Sequence, residues 1–405
     1  MSGDYDIVIV GGGLSGGSLA LALRGSGYRI AVVEAFSDEQ RRSSPAGDRA
    51  LALSYGTVCH FMSLGLWDGL EPQSAPIVNI HVSDRGHFGK TRLSARTEGV
   101  DALGYVIGAR VLEDKIASAL EVSDIERICP AGLMGIKSGP DSIPLTLRKE
   151  SSEFTLSTRL LVGADGMDSS VRRFLNIGQE TRDYRQTAIV TQVRPDIDPA
   201  GTAFERFTAT GPLAMLPVLN GCCSVVWTQP SAAAQQIMAL DDEEFLARLQ
   251  SAFGFRLGRL TLESKRVQFP LKLVRAKAMI GQRSVLVGNT VHQLHPVAGQ
   301  GFNLGMRDIA LLAEMIRDDL GKGRDPGGNA LLKAYAAARS TDHETLIRFT
   351  DGVVRLFSND WLPLAGARGL GLLGLDRCDW AKHLLTRHAM GLGGRLPRIG
   401  IGLDR

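Results

Sequence analysis

The sequence predicts an α/β protein with a parallel-sheet domain, an inserted and mainly β domain, and a helical C-terminal tail. Three observations support this prediction. A strand over residues 5–10, a helix over residues 14–24 and a second strand over residues 29–34 form a βαβ unit. Short β-type segments separated by Pro and Gly occupy residues 187–227. Helical patterns dominate from about residue 346 onward.

These patterns divide the chain into four predicted segments. Residues 1–182 form the first part of the α/β domain, with a β excursion at about 76–100. Residues 183–272 form the inserted β-sheet domain. Residues 273–345 return to the first domain, and residues 346–405 form the C-terminal helical region.

The composition argues against several classes of protein. The 405 residues carry a net charge of +3 without a long run of like charges, so we expect no nucleic-acid partner. The five cysteines lack the spacing of a disulfide framework or a metal site, and we expect no bound metal. We find no signal peptide and no apolar run long enough to span a membrane, which predicts a cytoplasmic protein.

The first motif that carries chemistry is the turn between the first strand and the first helix, Gly11-x-Gly13-x-x-Gly16. In such a turn the first glycine permits the tight bend, the second lets the backbone approach a pyrophosphate, and the third lets helix and strand pack closely. Glu34 closes the next strand, where an acceptor for ribose hydroxyls belongs. The motif predicts a dinucleotide site, and the acid favours an unphosphorylated ribose, as in FAD or NAD.

A second motif follows a strand in the middle of the chain. It begins at Gly163, carries carboxylates at Asp165 and Asp168, and ends at Arg172. Two interpretations stay open from the residues alone. Asp165 either caps the start of a helix or belongs to a functional turn.

A third motif, residues 288–303, contains two glycine-rich turns on either side of Pro296, and the second turn opens a long helix. The free N–H groups of a helix N-terminus can stabilise negative charge on a ligand. Because the loop is long and rich in glycine, we favour a functional role over a simple helix cap.

Together and in this order, the three motifs resemble those of the group A flavoprotein aromatic hydroxylases, the p-hydroxybenzoate hydroxylase type. The resemblance covers essentially the whole chain. The segment from His295 to Asn303 and the early segment from Asp48 to Leu53 are more similar to the UbiH/VisC branch, the ubiquinone-biosynthesis hydroxylases. Most group A enzymes carry Asp at the position of Asn289. The Asn of this chain resembles instead the UbiH subtype, which acts on 2-polyprenyl-6-methoxyphenol.

The resemblance implies a Rossmann-like FAD-binding domain with an inserted substrate domain. It implies FAD as cofactor, NADPH or NADH as electron donor, O2 as co-substrate and a prenylated phenol as substrate. The residues that would bind FAD are Gly11, Gly13, Gly16, Glu34, Arg49, Arg110, Asp165, Gly288, Asn289, Gly301, Phe302 and Asn303.

The same resemblance assigns each group of residues a part of the cofactor. Asp165 would lie near the diphosphate, Arg110 would contact the ribityl chain, and Arg49 would approach the diphosphate or the nicotinamide donor. The backbone of residues 301–303 would face the isoalloxazine. His295 and Pro296 would line the substrate side of the flavin as the catalytic residues.

Several partners follow from the resemblance and from the tail. We expect contact with other ubiquinone-biosynthesis proteins or a homo-oligomer. Apolar segments and basic residues of the tail predict peripheral contact with the inner membrane, and packing of the tail on the body or on a second subunit is the competing interpretation. The basic residues are Arg377, Lys382, Arg387, Arg395 and Arg398.

Three other functions compete with this hypothesis. A flavin-dependent halogenase would carry a Trp-x-Trp pair, and the four tryptophans of this chain, Trp67, Trp227, Trp361 and Trp380, are not so spaced. A hydroxylase acting at another ring position of the same pathway would share all three motifs. A flavin-binding, non-catalytic subunit of the biosynthetic assembly is the alternative from another class of protein.

Overall fold

The computed structural model of the protein describes residues 4–295, 299–357 and 362–393. In chain order its strands are β1 (Tyr5–Val10), β2 (Ile30–Val33), β3 (Ala50–Ser54), β4 (Ser74–Ile77), β5 (Asn79–Asp84), β6 (Lys90–Ser94), β7 (Gly104–Gly108), β8 (Glu126–Ile128), β9 (Gly132–Ile136), β10 (Ile143–Lys149), β11 (Ser152–Gly163), β12 (Gln179–Pro195), β13 (Thr202–Thr208), β14 (Gly211–Pro217), β15 (Cys223–Pro230), β16 (Leu260–Leu262), β17 (Val267–Ala276), β18 (Ile280–Gly281), β19 (Ser284–Leu286) and β20 (His292–Gln293).

The helices lie between these strands and at the end of the chain. They are α1 (Leu14–Leu23), α2 (Asp38–Arg42), α3 (Tyr55–Ser63), α4 (Ala95–Glu98), α5 (Ala109–Glu121), α6 (Ser170–Phe174), α7 (Ser231–Met238), α8 (Asp242–Phe253), α9 (Gln300–Leu320), α10 (Asn329–Phe357), α11 (Leu362–Arg377) and α12 (Asp379–Ala389). None of the described helices combines the length and the apolar character that crossing a membrane requires.

The first sheet has the order β18-β19-β11-β1-β2-β8, with β10 beside β11 and β9 beside β10. Strand β1 pairs in parallel with both β11 and β2. Its side chains alternate between two cores, because Ile7 and Ile9 face α1, α5 and α9 whereas Val8 faces β10 and α6. A strand that is buried on both faces reads as a continuous apolar run, which explains the pattern in the sequence.

The second sheet belongs to the inserted domain and has the order β20-β17-β12-β15-β14-β13-β5-β6, with β16 beside β12. One of its faces is covered by α7 and α8, where Leu213 and Trp227 pack against Phe245 and Leu249. The opposite face is directed toward the first domain and the C-terminal helices. There Ala203 clusters with residues of β3, and Phe207 clusters with Leu372 of α11.

The sheet extends beyond the predicted limits of the insertion. Strand β12 begins at Gln179 and β17 ends at Ala276, so the predicted boundaries at 183 and 272 both fall inside strands. The β excursion at 76–100 contributes β5 and β6, and β5 pairs in parallel with β13. Local patterns could not reveal this pairing, because its two strands are far apart in the sequence.

The C-terminal helices hold the two domains together. Arg368 of α11 donates from Nε to Asp84 Oδ2 of β5 at 3.0 Å, and both side chains are buried. The hydroxyl of Thr91 donates to the carbonyl oxygen of Leu372 at 2.8 Å. At the end of α12, the carbonyl oxygen of Met390 accepts from the N–H of Gly56 at 2.9 Å.

We predict that Arg368→Met lowers the free energy of unfolding by about 3–5 kcal/mol, because it leaves the Asp84 carboxylate buried without its cation. Urea unfolding of the flavin-loaded protein measures the change. Arg148→Met is the matched control, since Arg148 and its partner Glu153 are half-exposed, and it should cost less than about 1 kcal/mol. Equal losses in the two variants would contradict this account of the tail.

Candidate functional site

The three sequence motifs converge at the carboxyl ends of neighbouring parallel strands. The N–H of Gly11, after β1, donates to the carbonyl oxygen of Val33 at 2.8 Å. The N–H of Ala164, after β11, donates to the carbonyl oxygen of Val10 at 2.8 Å, and that of Val287, after β19, donates to Gly163 at 2.9 Å. The turns therefore form one edge, which is where open α/β sheets bind their ligands.

The glycines of the first turn serve two different purposes. Gly11 has a φ of +104°, and a Cβ there would lie 2.4 Å from the carbonyl oxygen of Ala164. A Cβ on Gly16 would lie 1.8 Å from the carbonyl oxygen of Gly11. A Cβ on Gly13 would meet no atom within 4 Å. Gly11 and Gly16 thus permit close backbone packing, whereas Gly13 faces open space at the start of α1.

Glu34 is fixed beside this open space. One carboxylate oxygen accepts from the N–H of Gly12 at 2.8 Å, and the other accepts from the N–H of Phe36 at 2.9 Å. Each oxygen keeps a further lone pair for a ligand hydroxyl. Arg41, which no sequence motif points to, donates to the carbonyl oxygen of Gly12 at 3.1 Å and so braces the same turn. The only sequence signal for this role of Arg41 is its position seven residues after Glu34, the acid that follows β2.

The Asp165 turn has the helix-capping arrangement that the sequence allowed. The carboxylate accepts from the N–H groups of Ser170 and Val171 at 2.7 and 3.1 Å, at the start of α6. Arg172 donates to the carbonyl oxygen of Thr290 at 2.8 Å, and the hydroxyl of Thr290 accepts from the N–H of Gly166. The second and third motifs are therefore tied together, and a contact between Asp165 and the diphosphate stays a prediction.

The late glycine turn lies directly against the first helix. Gly288 has a φ of +61°, and a Cβ there would lie 2.4 Å from the hydroxyl oxygen of Ser15. A Cβ on Gly305 of α9 would lie 3.2 Å from the Cα of Gly288. Asn289 is exposed on this turn and makes no side-chain hydrogen bond to another described residue. The close packing at Gly288 fixes the backbone of the turn. Because the amide of Asn289 is exposed, it is available to a ligand.

Helix α9 begins at Gly299, which has a left-handed conformation. The buried Asn303 locks this first turn, because its Nδ2 donates to the carbonyl oxygens of Ala52 and Gly299, both at 2.9 Å. Its Oδ1 accepts from the N–H of Ser54 at 2.8 Å.

The first turn of α9 is open on its outer side, because a Cβ on Gly301 would meet no atom within 4 Å. Phe302 packs against the main core. The first N–H groups of a helix have no partner inside it, and here they are available to a ligand.

His295 lies at the junction of this loop with the inserted sheet. Its ring is buried, and its Nε2 lies 3.3 Å from Oε1 of Gln186. Tyr184 packs edge-on against the ring with centroids 5.1 Å apart. Burial lowers the pKa of His295 to about 4, although Asp351 acts in the opposite direction. The imidazole is therefore neutral at pH 7. Pro296, the other predicted catalytic residue, lies outside the described residues.

Arg110 and Arg49, the two arginines predicted to contact the cofactor, lie at the border of this site. Arg110 binds the chain that precedes β3, through the carbonyl oxygens of Arg42 and Ser44 and the carboxylate of Asp48. Arg49 is exposed, and its carbonyl oxygen accepts from the N–H of Ala109 at 2.8 Å. The structure thus shows Arg110 holding a loop, and the flavin contacts of both arginines stay predictions.

A buried charged cluster lies behind the late turn. Asp308 of α9 accepts from Arg339 at 2.5 Å and from His343 at 2.8 Å, both on α10, and its other oxygen lies 3.3 Å from Nε2 of His292. Burial alone would raise the pKa of Asp308, but His343 and Arg339 hold it well below its usual range. The two histidines and the carboxylate are close enough to hold a metal ion. Because the guanidinium of Arg339 already neutralises the carboxylate, we interpret the group as an ion cluster that anchors α10.

Helix α10 extends from this cluster to the inserted sheet. There Asp351 accepts from the hydroxyl of Tyr184 at 3.2 Å and pairs with Arg182 at 2.8 Å. Tyr184 and Arg182 lie on β12, next to a register shift between Asp183 and Gln186. The structure places Tyr184 between His295 and α10.

The residues at this edge fit FAD. The space at Gly13, the carboxylate of Glu34 beside it and the open first turn of α9 at Gly301 offer room for the diphosphate, an acceptor for the ribose and N–H donors for the ring system. The N-terminus of α9 can stabilise negative charge that develops on the flavin.

Comparisons with known proteins agree with this site. Residues 4–350 match the family described as FAD binding domain. Ubiquinone hydroxylase UbiL of Rhodospirillum rubrum is 38% identical over 98% of this chain and 93% of its own length. The 3-demethoxyubiquinol 3-hydroxylase of Escherichia coli is 29% identical over 96% of this chain and 98% of its own length.

Solved structures extend the comparison to the fold. The p-nitrophenol 4-monooxygenase PnpA of Pseudomonas putida superposes with a TM-score of 0.79 at 17% identity, over 98% of this chain and all of its own. The predicted fold class is confirmed: an α/β protein of the p-hydroxybenzoate hydroxylase type with an inserted β-sheet domain and a helical C-terminal region.

We predict that Gly13→Val gives a folded but colourless protein, because its Cβ meets no protein atom within 4 Å and the branched side chain enters the space expected for the pyrophosphate. Flavin absorbance after purification measures cofactor content, and circular dichroism tests the fold. Gly132→Val is the matched control, since a Cβ there also meets nothing within 4 Å but lies on β9. Stoichiometric flavin in Gly13→Val would refute this placement of the cofactor.

Proposed function

Because the chain belongs to the FAD binding domain family of flavoprotein monooxygenases, we propose that it hydroxylates the ring of a polyprenylated phenol in ubiquinone biosynthesis. Our candidate substrate is 2-polyprenyl-6-methoxyphenol. The names of the two relatives support the pathway, and Asn289 supports this substrate. The enzyme class uses NAD(P)H and O2 together with its FAD.

One structural observation carries the proposal. The first turn of α9 meets the inserted sheet across β3, because a Cβ on Gly299 would lie 3.1 Å from the Cβ of Ala52, and Ala52 clusters with Ala203 and Leu216. The first turn of α9 is therefore next to an apolar sheet face. Such a face suits an aromatic ring with a long hydrocarbon substituent.

When bound, FAD supplies the redox chemistry, accepting a hydride and activating O2 so that one oxygen atom enters the ring. The chain itself contributes position and exclusion of water. The N–H groups of the first turn of α9 would stabilise negative charge on the flavin. The neutral, buried ring of His295 would help to exclude water from the site. The apolar sheet face holds the aromatic ring at a fixed distance.

We predict that the purified yellow protein oxidises NADPH faster when an alkylated phenol is added, and that mass spectrometry finds a product with one more oxygen atom. The colourless Gly13→Val variant is the control for flavin-independent oxidation. NMR of the product identifies the ring position. If the product carries the new hydroxyl at a ring position that does not fit 2-polyprenyl-6-methoxyphenol, the natural substrate is a different phenol of the same pathway. A failure of every alkylated phenol to stimulate oxidation would favour a non-catalytic flavoprotein.

We further propose that α12 brings the enzyme to the surface of a membrane with anionic lipids, where a polyprenylated substrate resides. Trp380 and Leu384 lie one turn apart and are 75% and 53% exposed. The exposed Arg377 and Arg387 flank them. Arg395 and Arg398 lie outside the described residues. Contacts with other proteins of the pathway and self-association stay predictions.

We predict that replacing both Trp380 and Leu384 by Ser weakens binding to phosphatidylcholine–phosphatidylglycerol vesicles by about tenfold or more, because their burial in the interface is lost. Vesicle flotation measures the bound fraction. Phe255→Ser is the control, since Phe255 is 70% exposed on the inserted domain. Vesicles of phosphatidylcholine alone should bind less strongly. Unchanged flotation of the double variant would exclude this surface.

A further inference from the structure

Glu205 is an acid on the apolar face of the inserted sheet. Strand β13 pairs with β14 and β5, so Glu205 lies opposite Ala214 on one side and Val82 on the other. Because side chains alternate along a strand, Glu205 shares its face with Ala203 and Phe207. Its immediate neighbours on this face are thus apolar.

Glu205 lies between the two places where other elements cover this face. On one side, Ala203 clusters with Ala50 and Ala52 of β3, next to the first turn of α9. On the other side, Phe207 clusters with Leu372 of α11. Glu205 itself is enclosed by protein yet retains accessible surface. This combination is expected of a side chain that lines an internal cleft.

The carboxyl of Glu205 has no hydrogen bond or ion pair with any described residue. Buried acids without a partner are rare, because removing a charge from water costs free energy that nothing repays. Burial raises the pKa of Glu205 to about 7. A carboxyl in this state can hold or release a proton near neutral pH, and its unused lone pairs can accept a hydrogen bond from a ligand.

The charged groups around Glu205 are engaged elsewhere. Asp84, two residues beyond Val82 on the same face, is paired with Arg368 of α11. On α10, which packs on β14, Asp351 is paired with Arg182. Arg206 alternates to the opposite face of the sheet. None of these groups contributes to the raised pKa, which burial alone causes.

We infer that Glu205 is the catalytic base, accepting the proton of the phenol hydroxyl as the ring is hydroxylated. This inference rests on the proposed function and adds a residue to it. The O–H bond of the phenol breaks and a carboxyl O–H bond forms on Glu205. The electron pair stays on the phenolate oxygen and makes the ring more nucleophilic. The proton returns to the product oxygen, so Glu205 is ionised again for the next cycle.

The test compares the flavin-loaded wild type with Glu205→Gln, which keeps the shape of the side chain but cannot take the proton. We expect hydroxylation of an alkylated phenol to fall by about 100-fold or more at pH 7, with flavin content unchanged. In the wild type the rate should rise with pH through about 7, because the ionised carboxyl is the active form. In Glu205→Gln that rise should be absent, and activity should recover only toward the pKa of the free phenol, about 10.

A second readout does not depend on turnover. Infrared titration of the flavin-loaded protein should show a carboxyl group that ionises near pH 7, and Glu205→Gln should remove it. Glu263→Gln is the matched control, because Glu263 is an exposed acid of the same domain, paired with Arg194. It should keep both the titration and the wild-type rate.

The outcomes separate the two levels of the proposal. If the wild type hydroxylates phenols and Glu205→Gln does so at the same rate with the same pH profile, Glu205 is not the base. If the titrating carboxyl persists in Glu205→Gln, the assignment also fails. If the wild type hydroxylates no phenol at all, the proposed function fails first. Loss of rate, loss of the titration and recovery at high pH together support Glu205 as the base.

Discussion

The close approach of two backbones at the edge of the first sheet is the constraint on which the cofactor domain depends. The carbonyl oxygens of Gly11 and Ala164 occupy space that a side chain on either neighbouring glycine would need. Around this packing, β1, β2, β11 and β19 pair in register up to their carboxyl ends. The later turns then follow, since Thr290 connects the Asp165 turn to the glycine turn that rests on α1.

Some of this architecture could be predicted from the sequence because it is local. The alternation of two cores along β1 and the spacing of Gly11, Gly13 and Gly16 lie within one βαβ unit. The parallel pairing of β5 with β13 joins segments far apart in the chain, and no local pattern encodes it. The residues alone leave open whether Asp165 caps a helix or faces a ligand; its hydrogen bonds to Ser170 and Val171, which depend on how the turn folds, show the cap.

The site residues that sequence reasoning missed are those whose surroundings are non-local. In β13 the order Phe204-Glu205-Arg206-Phe207 places one charged residue on each face, so alternation does not show which face is buried. The covering elements decide it, with α8 on one side and β3 and α11 on the other. The contact of the Tyr184 hydroxyl with Asp351 is also non-local, because it depends on how α10 packs against the inserted sheet.

Helix α10 is anchored at two points, at His343 beside Asp308 and at Asp351 beside Tyr184. They are eight positions apart along the helix, a rise of about 12 Å. A helix is stiff over such a length, so the spacing between α9 and β12 is set by a rigid helix and does not depend on loop conformation. A displacement of β12 relative to α9 would therefore have to bend α10 or break one of these two anchors.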